Sequence, residues 1–374
     1  MPINEKWFRQ NLGVETPHPT PETLEDSALD ADQQFRRQLI DFDSEGASGA
    51  AFQSKAPLAA IGLSHFTPIP WPPDLAPRVG PPPKRQSLPR ADVLIVTWTM
   101  DEGHALSQVL SPGVDSKTGW KPYTKNFDKI AKSMRLDCPA RELKRLGTYW
   151  TCTIGGRTVT LFKSDSHMSQ DGPDLPNATV WNQIIADCQP AWVITTGTGG
   201  GIGPGCEVGD VIVSQFVTFD CQSEFKRLNG QMYSCGTKSP LSKHQEAVSL
   251  FLANVGMLPR TNSRSPKIVT STSTSRGIVT TDFFGFDNTA DTYQLQGKGD
   301  LSEMGDAVLG MVCAELGTVA PHYVIVRNVS DPQIDSAGQT LAQQKEMAGS
   351  IYQAYGLWSS ICSAIVCWAI VASL

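Results

Sequence analysis

The sequence predicts an α/β protein: an open sheet whose functional groups lie beyond the carboxyl ends of its strands. Three observations point there. From residue 91 onward, apolar β-runs alternate with helical patterns. Three of those runs, residues 93–102 (VLIVTWTMDE), 193–201 (VITTGTGGG) and 324–331 (VIVRNVSD), stop at polar residues or glycine. Such strand ends are where ligands bind in open α/β sheets.

The elements follow in order. Residues 1–90 read as a proline-rich N-terminal arm. Prolines crowd residues 68–83, where fixed φ and missing donors stop a regular helix or sheet. Residues 29–42 have an amphipathic pattern that predicts one helix. The arm either packs on the core or a partner, or stays disordered. Residues 91–374 read as the catalytic domain. Residues 92–97 predict a buried strand, with a helix starting near His104. Residues 149–154 and 157–163 flank Gly155-Gly156, a hairpin signal. Residues 178–188 predict a helix ahead of Pro190. Strands are expected at 192–196, 211–219, 267–270 and 323–329, and helices at 243–255 and 305–316. Residues 347–374 carry no charge. That tail could span a bilayer, but its serines and the lack of flanking basic residues favour a packed terminal helix.

Composition narrows the function. The chain has 374 residues, 40% hydrophobic and 18% charged, with a net charge of −6 and no basic stripe. Nucleic acid is therefore excluded as a partner, and a small molecule in a cleft is favoured. The nine cysteines show no CxxC and no metal-ligand spacing. They read as buried thiols in a reducing compartment, with a disulfide left open among Cys206, Cys221 and Cys235. No signal-peptide pattern opens the chain, so the expected location is cytoplasmic. No cofactor and no metal are implied.

The glycine cluster TGTGGGIGPG fits neither a dinucleotide nor a P-loop fingerprint. A strand follows it, so it reads as a loop joining two strands, with close backbone approach to a ligand or a plain tight turn as the alternatives. Arg327 sits in an apolar strand and needs an acid or an anion as partner. Glu102 is either a site acid or a first-turn glutamate favoured by the helix dipole. Asp331 is either a site acid or a turn cap. Phe283, Phe284 and Phe286 are core aromatics or a stacking face for a base. His104 and His167 are assigned polar-loop roles. Taken together, Glu102, the cradle at residues 196–201, Arg327 and Asp331 are the parts needed to break an N-glycosidic bond.

Those segments, with residues 302–306 (SEMGD), resemble the nucleoside phosphorylase superfamily, and within it the 5′-methylthioadenosine/S-adenosylhomocysteine nucleosidases. The most specific pieces are VIVRNVSD, then VITTGTGGG followed by VGDVIVS. The resemblance implies a three-layer α/β/α sandwich with a central mixed sheet, a nucleoside substrate and a homodimer. By position, Asp331 would be the general acid at purine N7 and Ser330 would position it. Glu102 would orient and deprotonate the attacking water. Thr198, Gly199 and Arg327 would hold that water, or an anion in its place. Phe284 would stack on the purine and Met304 would lie under the ribose. The family's Met-Glu, whose glutamate grips the ribose hydroxyls, is here Met304-Gly305; Glu303 and Asp306 are the candidates to replace it. Phosphorylases of the superfamily place an arginine just before the glycine turn, where this chain reads Val193-Ile194-Thr195-Thr196. The expectation is a purine nucleosidase acting on an adenine-type nucleoside. A phosphate-dependent phosphorylase and a non-catalytic, nucleoside-sensing or membrane-associated module are the alternatives.

Overall fold

The computed structural model describes residues 3–4, 69, 71–84, 87–168, 172–236, 241, 248, 262, 264–271 and 273–374. The helix expected at 29–42 lies outside them, as does that at 243–255 apart from Val248.

Thirteen strands form one sheet among the described residues. They are β1 (Arg78–Val79), β2 (Val93–Thr97), β3 (Lys121–Tyr123), β4 (Gly147–Ile154), β5 (Arg157–Ser164), β6 (Trp192–Gly201) and β7 (Val211–Ser214). Next come β8 (Phe216–Asp220), β9 (Met232–Ser234), β10 (Ile268–Thr270), β11 (Ile278–Thr281), β12 (Leu301–Glu303) and β13 (His322–Asp331). The main path runs β1-β4-β5-β2-β6-β12-β11-β8-β9. β2 pairs in parallel with β5 and β6, and β13 in parallel with β6, while β4–β5 and β12–β6 are antiparallel. The sheet is mixed, as expected. Gly155 and Gly156 both take positive φ, which the two-residue β4–β5 turn requires.

Alternation along the strands sorts side chains to two faces. Val93 and Ile95 of β2, with Val324 and Val326 of β13, face one hydrophobic layer. Leu94 and Val96, with Tyr323, Ile325 and Val329, face the other. Four longer helices cover these faces: α1 (Met100–Leu110), α2 (Pro176–Cys188), α3 (Asp306–Leu316) and α4 (Leu341–Ser373). Ala105, Leu106, Val109 and Leu110 of α1 and the apolar residues of α4 fill the first layer. Val180, Trp181 and Ile184 of α2 and Val308, Leu309 and Val312 of α3 fill the second. Helix, sheet and helix make the three-layer α/β/α sandwich.

Three expectations change. Residues 196–201 are not a loop: β6 continues through Gly201, because Gly200 and Gly201 pair with Ser302 and Leu301 of β12. Residues 211–219 are two strands, since the chain leaves β7, beside β13 and β10, to begin β8 beside β11 and β9. The helix after β2 begins at Met100, not near His104, because Thr99 caps it.

The uncharged tail packs. Its segment Ala354–Ser373 is long and apolar enough to cross a membrane, yet 89% of that window is buried in the structure. Several of its polar atoms have partners inside, although Trp358 Nε1 and Ser360 Oγ have none among the described residues. Asn328 of β13 donates to Ser359 Oγ and accepts from Ser363 Oγ, both at 2.8 Å. Trp368 Nε1 donates to the Leu75 carbonyl at 2.7 Å, and its ring lies 4.6 Å from that of Trp71. Ile3 pairs by backbone hydrogen bonds with Gln333 and Asp335 beyond β13. All nine cysteines are free thiols, so the disulfide left open at residues 206, 221 and 235 is absent.

Asn328 ties α4 to the central strand. Asn328→Ala should lower stability by about 2–3 kcal/mol, because two buried hydroxyls lose a partner and a small cavity opens. Urea unfolding measures it; a change below about 0.5 kcal/mol would show that the two serines are satisfied by the helix carbonyls alone.

Candidate active site

A cleft enclosing about 780 Å³, open solvent at its mouth included, lies at the ends of β2, β6, β12 and β13. Glu102, Thr198, Gly199, Phe284, Glu303, Met304, Arg327, Ser330 and Asp331 line it, so nine of the ten residues singled out from the sequence meet at one site. The tenth, Asp306, does not line the cleft. It is fully buried and gives both carboxylate oxygens to Arg327, at 2.8 Å each.

The register of β6 and β13 places the pieces. Arg327 sits beside Gly197, Asn328 beside Thr198 and Val329 beside Gly199. Then the register shifts, and Asp331 rather than Ser330 pairs with Gly200. A bulge breaks strict alternation, and Ser330 and Asp331 both line the cleft. Gly197 has φ +155, and a Cβ there would stand 2.4 Å from Glu102 Oε1 and 2.8 Å from Arg327 Nη1. Only glycine lets acid and cation meet over that strand.

Arg327 is buried, and its guanidinium lies 4.7 Å over the Trp98 ring. Beyond its bidentate bond to Asp306, Nη2 donates to Glu303 Oε2 at 3.3 Å and Nη1 to the Thr198 carbonyl at 3.2 Å. The partner its burial demanded is thus supplied by acids of α3 and β12.

Glu102 serves two purposes at once. As the third residue of α1 it completes a capping box with Thr99. Oε2 accepts from Thr97 Oγ1 at 2.8 Å, Trp98 N at 3.0 Å and Thr99 N at 2.9 Å. Oε1 points to β6 and accepts from Thr198 N at 2.8 Å and Thr198 Oγ1 at 2.9 Å. Burial opposes its charge, but Arg327 and the Thr198, Thr99 and Trp98 amides outweigh burial and hold the carboxyl below its usual range. Glu102 is the first-turn glutamate that the sequence suggested, and the same side chain lines the cleft.

Asp331 is the contrast. Ser330 Oγ donates to its Oδ1 at 2.7 Å, and no other hydrogen bond reaches the carboxyl among the described residues. Burial raises it to about 7, against the smaller opposing effect of Ser330. Glu303 also rises, through burial and then the Asp306 carboxylate beside it. A carboxyl held low at Glu102 and one raised at Asp331 therefore face one cleft, a separation suited to base and acid work.

The aromatic cluster divides. Phe284 lines the cleft, while Phe283 stacks on Tyr293 at 5.5 Å and Phe286 is buried. The polar-loop assignment holds for the position of His167, in the loop after β5, but not for His104. His104 lies on α1, with Nε2 2.8 Å from Gln108 Nε2. His167 lines the cleft edge-on to Trp98, at 6.4 Å. Burial, then Arg327, push His167 down to about 4, so it is neutral at pH 7. Sequence reading also missed Trp98, Ser302, Ala348 and Tyr352, all of which line the cleft. Tyr352 Oη donates to Thr99 Oγ1 at 2.9 Å, joining α4 to the cap of α1. Only Trp98 carried a sequence signal, lying three residues after Ile95 at the end of an apolar strand; Tyr352 lay in a tail read as packing.

The family model of the phosphorylase superfamily matches residues 121–354. The chain belongs to that superfamily. The matched span of this superfamily member holds Thr198, Arg327 and Asp331, and begins after Glu102. No curated protein matches the chain. Among solved structures it is similar to the 5′-methylthioadenosine/S-adenosylhomocysteine nucleosidase of Neisseria meningitidis in complex with methylthio-immucillin-A. Identity is 18% over 76% of this chain and 100% of that one, with a TM-score of 0.48. Similarity to the S-adenosylhomocysteine nucleosidase of Streptococcus pyogenes is 16% over 77% and 98%, with a TM-score of 0.47. For futalosine hydrolase of Helicobacter pylori it is 15% over 75% and 97%, also at 0.47.

Two stability outcomes follow. Asp306→Ala leaves the Arg327 charge buried without its bidentate partner and should cost about 3–5 kcal/mol in chemical unfolding; a loss under 1 kcal/mol would mean that Glu303 alone suffices. Asp331 has a folded value near 7, above its unfolded one of 3.8. Its neutral form therefore contributes stability fully below pH 4, and that contribution is lost as pH rises through about 7. Asp331→Asn should be more stable than the parent at pH 8, with the difference shrinking toward pH 5. Parallel stability curves over that range would refute the raised value.

Proposed function

We propose that the protein hydrolyses the N-glycosidic bond of an adenine-type nucleoside, releasing free base and free sugar. The observation that carries this reading is Asp331: a buried carboxyl raised to about 7, steadied by Ser330, in the same cleft as ionised Glu102. At neutral pH a substantial share of Asp331 is protonated. It can hand a proton to the purine N7, after which the base departs as a neutral molecule. Phe284 offers a face on which the purine stacks. The sugar left behind bears positive charge, which the anionic Glu102 and the neutral His167 tolerate. Water then attacks the anomeric carbon. Thr198 orients that water, and Glu102 takes its proton once C–O bond formation has acidified it, the Thr198 hydroxyl turning from Glu102 Oε1 to the water to leave that oxygen room.

Hydrolysis is favoured over phosphorolysis by the state of Arg327. It is the one cationic side chain lining the cleft among the described residues, and Asp306 and Glu303 already occupy it. A phosphate dianion would meet two or more carboxyls and no free cation.

The test is release of adenine from a nucleoside panel, with and without phosphate. Free sugar without phosphate is the expected product. A sugar 1-phosphate formed only with phosphate would make the protein a phosphorylase, and tight binding without release would make it a binding module. Asp331→Asn should lower kcat by ~10²–10⁴-fold, the usual worth of a positioned acid, and full activity would reject the leaving-group role. In the parent, kcat/KM should fall as pH rises above about 7, where Asp331 loses its proton; a flat alkaline limb would contradict it.

A further inference from the structure

Sugar hydroxyls are hydrogen-bond donors, and the strongest way to select a vicinal diol is a carboxylate with both oxygens free to accept. Three carboxyls line the cleft among the described residues: Glu102, Glu303 and Asp331. Glu102 takes five protein donors on its two oxygens, more than its four or so lone-pair positions. Glu303 is equally occupied. The Thr280 hydroxyl and the Asp306 amide meet Oε1, while the Gly305 and Asp306 amides and Arg327 meet Oε2. Asp331 has Oδ1 engaged by Ser330 and a single oxygen left. Asp306, the remaining acid of SEMGD, has both oxygens on Arg327 and does not line the cleft. No carboxylate in the cleft is open to a diol.

Gly305 directly follows the cleft-lining Glu303 and Met304, and it is there that such a group could be added. It precedes α3, and a Cβ built on it would meet nothing closer than Trp98 Cζ2, at 3.9 Å. Its φ of −175° lies outside the left-handed region that favours glycine. The position is open in space, yet it carries no side chain.

On the reading that this cleft binds adenine-type nucleosides, we infer that the site selects the base and leaves the sugar hydroxyls unread, so that 2′-deoxynucleosides are substrates on a par with ribonucleosides, with Gly305 the position that sets this tolerance. A second physical effect pushes the same way. The electron-withdrawing 2′-hydroxyl destabilises a cationic sugar, and no carboxylate in the cleft is open to accept from that hydroxyl and offset the effect. The 2′-deoxy substrate is therefore turned over at least as fast as the ribo form. Where a site does hydrogen-bond a substrate hydroxyl, loss of that hydroxyl costs ~10⁴–10⁵-fold, so the two cases differ widely.

The experiment pairs binding with turnover. Calorimetry on the full chain would compare 9-deazaadenosine with its 2′-deoxy form, whose carbon–carbon link to the base cannot be hydrolysed. Base release would compare adenosine with 2′-deoxyadenosine. Affinities within tenfold, with kcat/KM for the deoxy substrate equal or higher, are expected. A ribo preference of 100-fold or more in either measure overturns the inference while leaving hydrolysis intact. Equal affinities without base release from either nucleoside support it and defeat the hydrolysis reading. Binding of neither analogue overturns both. Gly305→Glu should shift the ribo-to-deoxy affinity ratio at least tenfold toward ribo, and an unchanged ratio would remove Gly305 from the assignment.

Discussion

A guanidinium buried at the centre of the sheet is the constraint around which the rest of this site is arranged. Taking Arg327 out of water costs several kcal/mol unless geometry and hydrogen bonds compensate. Compensation comes from three directions: the paired oxygens of Asp306 at the start of α3, Glu303 at the end of β12, and the face of Trp98 after β2. Each partner belongs to a different element. Satisfying one charge thus fixes the relative placement of β2, β12, β13 and α3, the elements whose ends make the cleft. The cluster holds more acid than base, so the cleft disfavours added anions.

The same economy governs Glu102. A carboxylate saturated by a helix cap and by a neighbouring strand is rigid and ionised. It does not wander, and Thr198 is held with it. Asp331 lacks such donors and is left to the opposing effect of burial. Two buried acids in one cleft are driven apart in proton affinity by what surrounds each: the Arg327 charge and backbone amides at Glu102, and a single serine hydroxyl at Asp331.

The C-terminal helix joins stability to the site. Its later turns fill the core and answer Asn328, while its earlier turns bring Ala348 and Tyr352 to the cleft wall. An uncharged stretch that reads as a membrane span by length is here a buried layer of the sandwich, held by serines that meet a polar strand residue. Those serines were the sequence signal that favoured packing, since hydroxyls need partners that lipid does not offer.

The sequence by itself determined the layered class, most strand positions, and the meeting of VTWTMDE, TGTGG, SEMGD and RNVSD at one end of the sheet. It could do so because strand ends in an open sheet share one edge, and because a lone arginine in VIVRNV demands an acid. What it left undecided were matters of register and partner. Whether residues 196–201 formed a loop or a strand depended on β13 pairing with Thr196 to Gly200 and β12 with Gly200 and Gly201, both about a hundred residues or more ahead. That Asp306 belongs to Arg327, and that Glu303 is filled by amides, rested on where α3 begins against β13. The bulge at Ser330, the placing of His167 in the cleft wall and the arrival of Tyr352 have no local signature at all. Local pattern reports which side chains want water and which do not; which donor reaches which acceptor is decided only when distant strands settle into register.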